Sequence, residues 1–152
     1  MWPYTERETG FLDPPPRPRG ELAARTLAMP ADTNPSGDIF GGWIMAQMDA
    51  AGAISATRLA SGRVVTAAVS HISFLQPVKV GDVVCCYTDV LRMGRTSLTL
   101  CVEVWVLRQG QGPRVKVTAA EFTFVALDDA GKPRPIAGPL SAGAGASIAE
   151  TE

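Results

Sequence analysis

One carboxylate stands out in the sequence because of where it lies. Asp49 is the only ionisable residue between Ile39 and Thr57, in a segment that is otherwise mostly apolar or small. An aspartate is rarely buried without a partner, and within an apolar helix it would lose its hydration. Such a setting suits a carboxylate that acts as a general base or as a nucleophile. The alternative is an aspartate on a helix edge that faces solvent or a second subunit, and composition alone does not separate the two.

Two glycines lie at the predicted start of the same helix. Gly41 and Gly42 have no side chain, so a ligand can approach their backbone closely. The N–H groups of a first helical turn have no intrahelical acceptor and can stabilise an oxygen that gains negative charge. A tight turn with packing glycines is the commoner explanation of such a pair. Asp38, just before it, is placed to cap the helix.

Polar residues in two turns are candidates for ligand contacts. Asn34 lies in a loop dense in turn formers, Pro30–Gly37, where its amide could orient a water or a carbonyl group. An ordinary turn asparagine is the simpler explanation of that position. A second turn could bind phosphate through a guanidinium and two hydroxyls, although a plain hairpin turn is more common. Its residues are Arg95, Thr96 and Ser97.

The chain offers few metal ligands. It has one histidine, His71, and three cysteines without a CxxC spacing, which are Cys85, Cys86 and Cys101. These are too few plausible ligands for a zinc site. The odd number of cysteines, two of them adjacent in a predicted strand, indicates reduced thiols in the core. His71 has no nucleophile nearby in sequence, which favours a packed or exposed histidine over a catalytic base.

The order of the predicted elements is one strand, a loop, one helix and four further strands. Their ranges are Leu22–Met29, Pro30–Gly37, Ile39–Ala60, Val64–Leu75, Val83–Met93, Ser97–Leu107 and Val115–Leu127. Short turns between the later strands imply an antiparallel sheet, and thus an α+β fold. Because the helix is apolar on nearly every side, we expect a strongly curved sheet to bury it on nearly every side. Its Gly, Gln and Asp residues argue against a membrane span.

Size and charge narrow the class of protein. The chain has 152 residues, the length of one domain, with 46% hydrophobic and 19% charged residues. Its net charge of −1 argues against non-specific nucleic-acid binding and a polybasic membrane anchor. Residues 1–20 are rich in proline and residues 137–152 are small and polar, so both are predicted to be flexible around a domain at residues 21–136. The N-terminus lacks the apolar run of a signal peptide, so we expect a cytoplasmic protein.

Two longer runs resemble a known family. GDIFGGWIM-x-Q-MD ends at Asp49, and VGDVVCCY ends at Tyr87. Together they resemble the YciA-like acyl-CoA thioesterases of the hotdog fold, over roughly Arg25 to Leu127. The resemblance implies a five- or six-stranded antiparallel sheet around a long central helix. It also implies a dimer with a continuous sheet, commonly assembled further as a trimer of dimers, and hydrolysis of acyl-CoA to a free acid and CoA without a metal or cofactor.

The resemblance also implies roles for the candidate catalytic residues. Asp49 matches the catalytic carboxylate, which activates water or attacks the thioester directly. Asn34 matches the loop asparagine that is its partner across the dimer interface in related thioesterases. The glycine pair, Gly41 and Gly42, would polarise the thioester carbonyl through backbone N–H groups. Phe40 precedes this pair where eukaryotic relatives often carry histidine, so no histidine role is assigned there, and Phe40 is predicted to contact the substrate.

The resemblance places CoA contacts less specifically. Arg95, Thr96 and Ser97 match a turn where such contacts are expected, and Arg63 is a further candidate for the CoA phosphates. A non-catalytic acyl-CoA binding or sensing protein is an alternative on the same fold, because fold does not determine function. A hotdog dehydratase is a third, but those enzymes rely on a histidine, and His71 is far from the helix in sequence.

Overall fold

A five-stranded antiparallel sheet packs against one long helix in the computed structural model, which describes residues 16–136. The elements in chain order are β1 (Glu21–Leu27), a 3-10 turn (Pro30–Asp32), α1 (Gly41–Ala60), β2 (Val64–Phe74), β3 (Val83–Met93), β4 (Ser97–Arg108) and β5 (Gln111–Ala126). The strand order in the sheet is β1-β3-β4-β5-β2, so β1 and β2 form its edges. The predicted α+β architecture is confirmed. Residues 1–15 and 137–152 of the predicted flexible ends lie outside the described residues.

One face of α1 forms the core with the sheet. Ile44, Met48, Ala51 and Ala56 are buried against the inner residues of the sheet. Outside this face, Met45 and Ile54 are 37% and 56% exposed. The expectation that the helix is buried on nearly every side is therefore wrong for the single chain, because one sheet covers only one face of a helix.

The helix begins later than predicted, at Gly41 rather than Ile39. The Ile39 N–H donates to the Val78 carbonyl at 2.9 Å, which keeps the preceding segment extended. Phe40 is the N-cap residue, and its side chain makes no capping hydrogen bond. The prediction that Asp38 caps the helix is wrong, because its carboxylate forms an ion pair with Lys79 instead.

Two strand boundaries differ from the predicted ones by two residues or more. β5 begins at Gln111 rather than Val115, because Gln109 and Gly110 make a tight turn with φ of 53° and 73°. Residues 111–114, which lie between the two predicted strands, therefore belong to β5. β1 ends at Leu27 rather than Met29, and beyond it the Ala28 N–H donates to the Asp82 carbonyl at 3.0 Å.

Adjacent cysteines in β3 point to opposite faces of the sheet. Cys86 belongs to the main core, whereas Cys85 packs with Tyr87 and Trp105 in a separate cluster. Burial, with a smaller contribution from Cys85, raises the pKa of the Cys86 thiol to about 12. Cys101 is only half-buried, which corrects its expected place in the core. All three thiols are free.

The length and hydropathy of α1 bear on membrane insertion. Among residues 16–136, no helix is long and apolar enough to cross a membrane.

Candidate functional site

The carboxylate of Asp49 has a defined partner. Asp49 is half-buried on α1, and its Oδ1 accepts a hydrogen bond of 2.5 Å from the Thr66 hydroxyl of β2. Thr66 is half-buried, between two exposed neighbours, as expected where alternate residues of a strand face a helix. A hydroxyl that donates to a carboxylate fixes the direction of the oxygen that it contacts. The sequence gives no signal for Thr66, because the contact depends on how α1 crosses β2.

The start of α1 leaves two backbone donors unused. The Phe40 N–H donates to the Asp32 carbonyl at 3.0 Å, and the Phe40 carbonyl accepts from Trp43 and Ile44. Within residues 16–136, the N–H groups of Gly41 and Gly42 have no backbone acceptor. A side chain added at Gly42 would meet no atom within 4 Å. These two donors can therefore serve an oxygen from outside the chain.

A pocket of about 320 Å³ opens beside these donors. Its lining is mostly apolar, with three polar side chains, and comprises Asn34, Asp38, Ile39, Gly41, Ile44, Phe74, Leu75, Gln76, Pro77 and Val78. The predicted site residues Asn34 and Gly41 thus lie together. Phe40, which is 49% exposed, and Gly42 adjoin this pocket in sequence but do not line it.

The side chain of Asn34 stabilises its own loop and also carries a group that can contact a ligand. Its Oδ1 accepts from the N–H groups of Ser36 and Asp38, at 2.9 and 3.1 Å. Its main-chain carbonyl accepts from the Gly37 N–H at 3.0 Å. The side-chain oxygen is therefore committed to the loop. The Nδ2 amide group is the part of Asn34 that can donate to a ligand.

Asp49 does not line this pocket. It lies eight positions after Gly41, which corresponds to about 12 Å along the helix axis. A general base acts within hydrogen-bond reach of the reacting group or through one water. The carboxylate and the helix-start donors of one chain are thus too far apart to act on the same carbonyl.

Arg63 and Arg95 lie at the other end of the fold. The Arg63 carbonyl accepts from the Leu127 N–H, and the Arg95 carbonyl accepts from the Ile136 N–H at 2.7 Å, just before the first pair of β4 with β5, Ser97 with Val125. Both arginines are exposed, and neither forms an ion pair within residues 16–136. This end of the sheet lies near the C-terminus of α1, away from Gly41.

Thr96 and Ser97 share this position but are engaged through their main chains. The Thr96 carbonyl accepts from the Ala126 N–H at 2.9 Å, and the Ser97 carbonyl accepts from the Gly94 N–H at 2.7 Å.

A residue that the sequence analysis missed, Arg134, donates to the Ala60 carbonyl at 2.8 Å and so satisfies a backbone acceptor at the end of α1. An arginine beyond the last predicted strand carried no signal for this contact.

His71 lies in an irregular part of β2. Its φ is 58°, and the register of β2 shifts between Ser70 and Ser73. The side chain is exposed and does not line the pocket beside α1. The described residues contain no group of three His, Cys, Asp or Glu side chains that could hold a metal ion.

Comparison with known proteins places this arrangement in a family. Residues 36–112 match the model of the thioesterase superfamily. The acyl-CoA thioester hydrolase YciA of Salmonella typhimurium is 57% identical over 122 residues, which cover 78% of this chain and 92% of that protein. The chain belongs to the YciA acyl-CoA thioester hydrolases of the thioesterase superfamily.

Solved structures agree with membership of the YciA family. The hexameric thioesterase y2039 from Yersinia pestis is 58% identical, with a TM-score of 0.76, over 79% of this chain and 98% of that one. HI0827, a hexameric broad specificity acyl-coenzyme A thioesterase solved as an aspartate-to-alanine mutant, is 51% identical with a TM-score of 0.77. That match covers 87% of this chain and 99% of the other. The hotdog fold and the YciA resemblance predicted from the sequence are confirmed.

Proposed function

We propose that this chain is an acyl-CoA thioesterase that hydrolyses acyl-CoA to a free carboxylic acid and CoA. Membership of the YciA acyl-CoA thioester hydrolases supports the activity. The structural observation that carries the proposal is that α1 holds both a half-buried carboxylate, Asp49, and unbonded N–H groups at its start, which two antiparallel chains would bring together. Thioester hydrolysis needs these two functions, a base or nucleophile and donors to an oxyanion.

The helix start would bind the thioester carbonyl oxygen. In the tetrahedral intermediate this oxygen becomes an anion, and the N–H groups of Gly41 and Gly42 would donate to it. Loss of one such donor typically costs about 3 kcal/mol of transition-state stabilisation. The Nδ2 group of Asn34, on the same pocket wall, would orient the thioester or the attacking water.

Asp49 would supply the attacking group by one of two routes. As a general base it takes a proton from water while the water oxygen bonds to the carbonyl carbon, and CoA leaves as the thiol. As a nucleophile it bonds to that carbon and expels CoA, and water then opens the mixed anhydride to the free acid. In either route the hydrogen bond from Thr66 would hold the carboxylate in position.

A second chain would complete the site. β2 is an edge strand, and its apolar residues Val65 and Phe74 are exposed. Thr66 lies near the start of β2 and Phe74 at its end. Two β2 edges paired antiparallel would therefore bring Asp49 of one chain toward the pocket of the other, in a continuous sheet.

The dimers would assemble further, and their pairing would also bring CoA-binding residues to the pocket. We propose a trimer of dimers, supported by the similarity to y2039 and HI0827, which are hexameric. In the antiparallel dimer, Arg63 and Arg95 of one chain would approach the pocket of its partner, where they could bind the CoA phosphates. Thr96 and Ser97 would add hydroxyl donors at the same turn.

The proposed reaction uses only protein groups and water. Turnover is therefore expected to survive treatment with EDTA, and loss of turnover that added metal restores would contradict this.

A cytoplasmic location is also proposed, supported by the three free thiols, which a reducing compartment preserves.

The deciding experiment is thiol release from acyl-CoA substrates of short to long chain. We expect wild-type turnover, and loss of most of it in Asp49→Asn with the fold and CoA affinity retained. Near-normal kcat in a folded Asp49→Asn protein would remove Asp49 from the mechanism. No wild-type turnover on any acyl-CoA, with tight CoA binding, would instead indicate an acyl-CoA binding or sensing protein.

Mixed dimers test whether the site is composite. Asp49→Asn and Asn34→Asp proteins, each expected to have lost most turnover, are mixed and allowed to exchange subunits. Heterodimers would contain one site with both residues intact, so random exchange should restore about a quarter of the wild-type activity. No recovery after verified exchange would contradict a shared site.

A further inference from the structure

The pocket beside the start of α1 is built in two parts. Its inner part is formed by buried apolar side chains, Ile39, Ile44 and Val78. Its outer wall is formed by Phe74 and Leu75, which are 47% and 61% exposed. The polar residues of the lining are Asn34, Asp38 and Gln76. A ligand group that fills the inner part must therefore be apolar.

The position of the pocket limits what that group can be. If the thioester oxygen accepts from Gly41 or Gly42, the carbonyl carbon lies at the pocket and carries two arms. One arm is the sulfur of CoA with its amide-containing pantetheine, and the other is the acyl chain. Burying amides among apolar side chains without partners costs free energy, whereas burying the CH₂ groups of an acyl chain there is favourable. The acyl chain is the arm that fits the pocket.

The backbone around Phe74 is held on both sides. The Thr118 hydroxyl donates to the Ser73 carbonyl, and the Leu75 N–H donates to the Val117 carbonyl at 2.7 Å. The Phe74 ring in turn lies close to Gly41, since a Cβ added there would be 3.5 Å from its Cζ. The Phe74 ring thus forms one wall of the pocket, and hydrogen bonds on both sides fix the main chain that carries it.

We propose that this pocket holds the acyl chain of the substrate and that Phe74 determines which chain lengths are preferred. The assignment rests on the proposed thioesterase function and deepens it. Phe74 acts by occupying space at the pocket wall. A smaller residue would lengthen the space available to the chain, and a larger one would shorten it.

The test is the chain-length profile of kcat/KM over a series of straight-chain acyl-CoA substrates, measured on the full chain. Phe74→Ala should raise the ratio of long-chain to short-chain kcat/KM by about tenfold or more, and Phe74→Trp should lower it. Leu27→Ala is the matched control, because Leu27 is a 49% exposed apolar residue on the opposite edge strand, β1. It should keep the wild-type profile.

The outcomes separate this inference from the proposed function. A wild type that hydrolyses no acyl-CoA overturns both. Wild-type turnover with the same profile in Phe74→Ala and Phe74→Trp overturns the inference alone, and so does an equal loss at all chain lengths. Phe74→Leu, which keeps an apolar side chain of intermediate size, replaces Phe74→Ala if that variant does not fold, and its profile should shift in the same direction.

Discussion

Gly52 of α1 lies directly over the ring of Phe124 of β5. A Cβ added at Gly52 would come within 2.8 Å of Phe124 Cζ and 2.9 Å of Cε2. Phe124 is fully buried and stacks with Phe122 at a centroid distance of 6.3 Å, so its ring has little room to move. The missing side chain at Gly52 therefore sets how closely the helix approaches the sheet.

Gly52→Ala is expected to destabilise the fold by about 1–2 kcal/mol, since overpacking outweighs the better helix propensity of alanine. The measurement is the urea midpoint of unfolding. Gly42→Ala serves as the stability control, because an added Cβ there meets no atom within 4 Å. An unchanged or higher midpoint in Gly52→Ala would show that the core yields at this contact.

Asn34→Asp separates the two roles of the loop asparagine. A carboxylate keeps an oxygen that accepts from Ser36 and Asp38 but removes the Nδ2 donor. We expect near-normal stability and a loss of most turnover. Asn34→Ala should lose turnover and, in addition, about 1 kcal/mol of stability. Normal kcat in Asn34→Asp would exclude the amide group from catalysis.

Thr66→Val removes the hydroxyl that donates to Asp49. A hydrogen bond to a charged group contributes about 1.5–3 kcal/mol, so kcat should fall by about 10- to 100-fold with little change in KM. Thr66→Ser should keep much of the activity. In an Asp49→Asn background, Thr66→Val should cause little further loss.

Thr123→Val is the matched control for Thr66→Val. Thr123 is a half-buried sheet threonine whose hydroxyl pairs with Thr99 at 3.0 Å, away from Asp49. It should leave kcat unchanged. Equal losses of kcat in the two variants would point to a general effect on the sheet.

Glu103 makes stability depend on acid pH. Burial alone would raise its pKa, but hydrogen bonds from the Arg19 N–H, the Trp105 indole and Lys116 outweigh that effect and lower the pKa below its usual range. A carboxylate with a lowered pKa stabilises the fold above its unfolded pKa of about 4.3, and this contribution is lost as the pH falls through the folded value. Urea midpoints of wild type and Glu103→Gln should therefore differ at neutral pH and converge in acid. A constant difference would contradict this role.

The type and order of the elements were accessible from the sequence because they depend on local patterns. Glycine and proline turns separate β-branched runs, and Ile39–Ala60 is rich in the helix-compatible residues Ala, Met and Leu. The boundaries were less accessible. Ile39 is extended because it bonds to Val78, nearly forty residues away in sequence, and no local pattern reports such a contact.

The sequence by itself determined that one carboxylate would lie in an apolar helix behind a glycine pair. Only the tertiary structure decided that Thr66 orients Asp49, that Phe74 stands over Gly41, and that Asp38 pairs with Lys79 rather than capping the helix. These contacts depend on how α1 crosses the sheet and how the strands are ordered. The reason is that propensity acts over a few neighbouring residues, whereas a site is assembled by packing between segments that are distant along the chain.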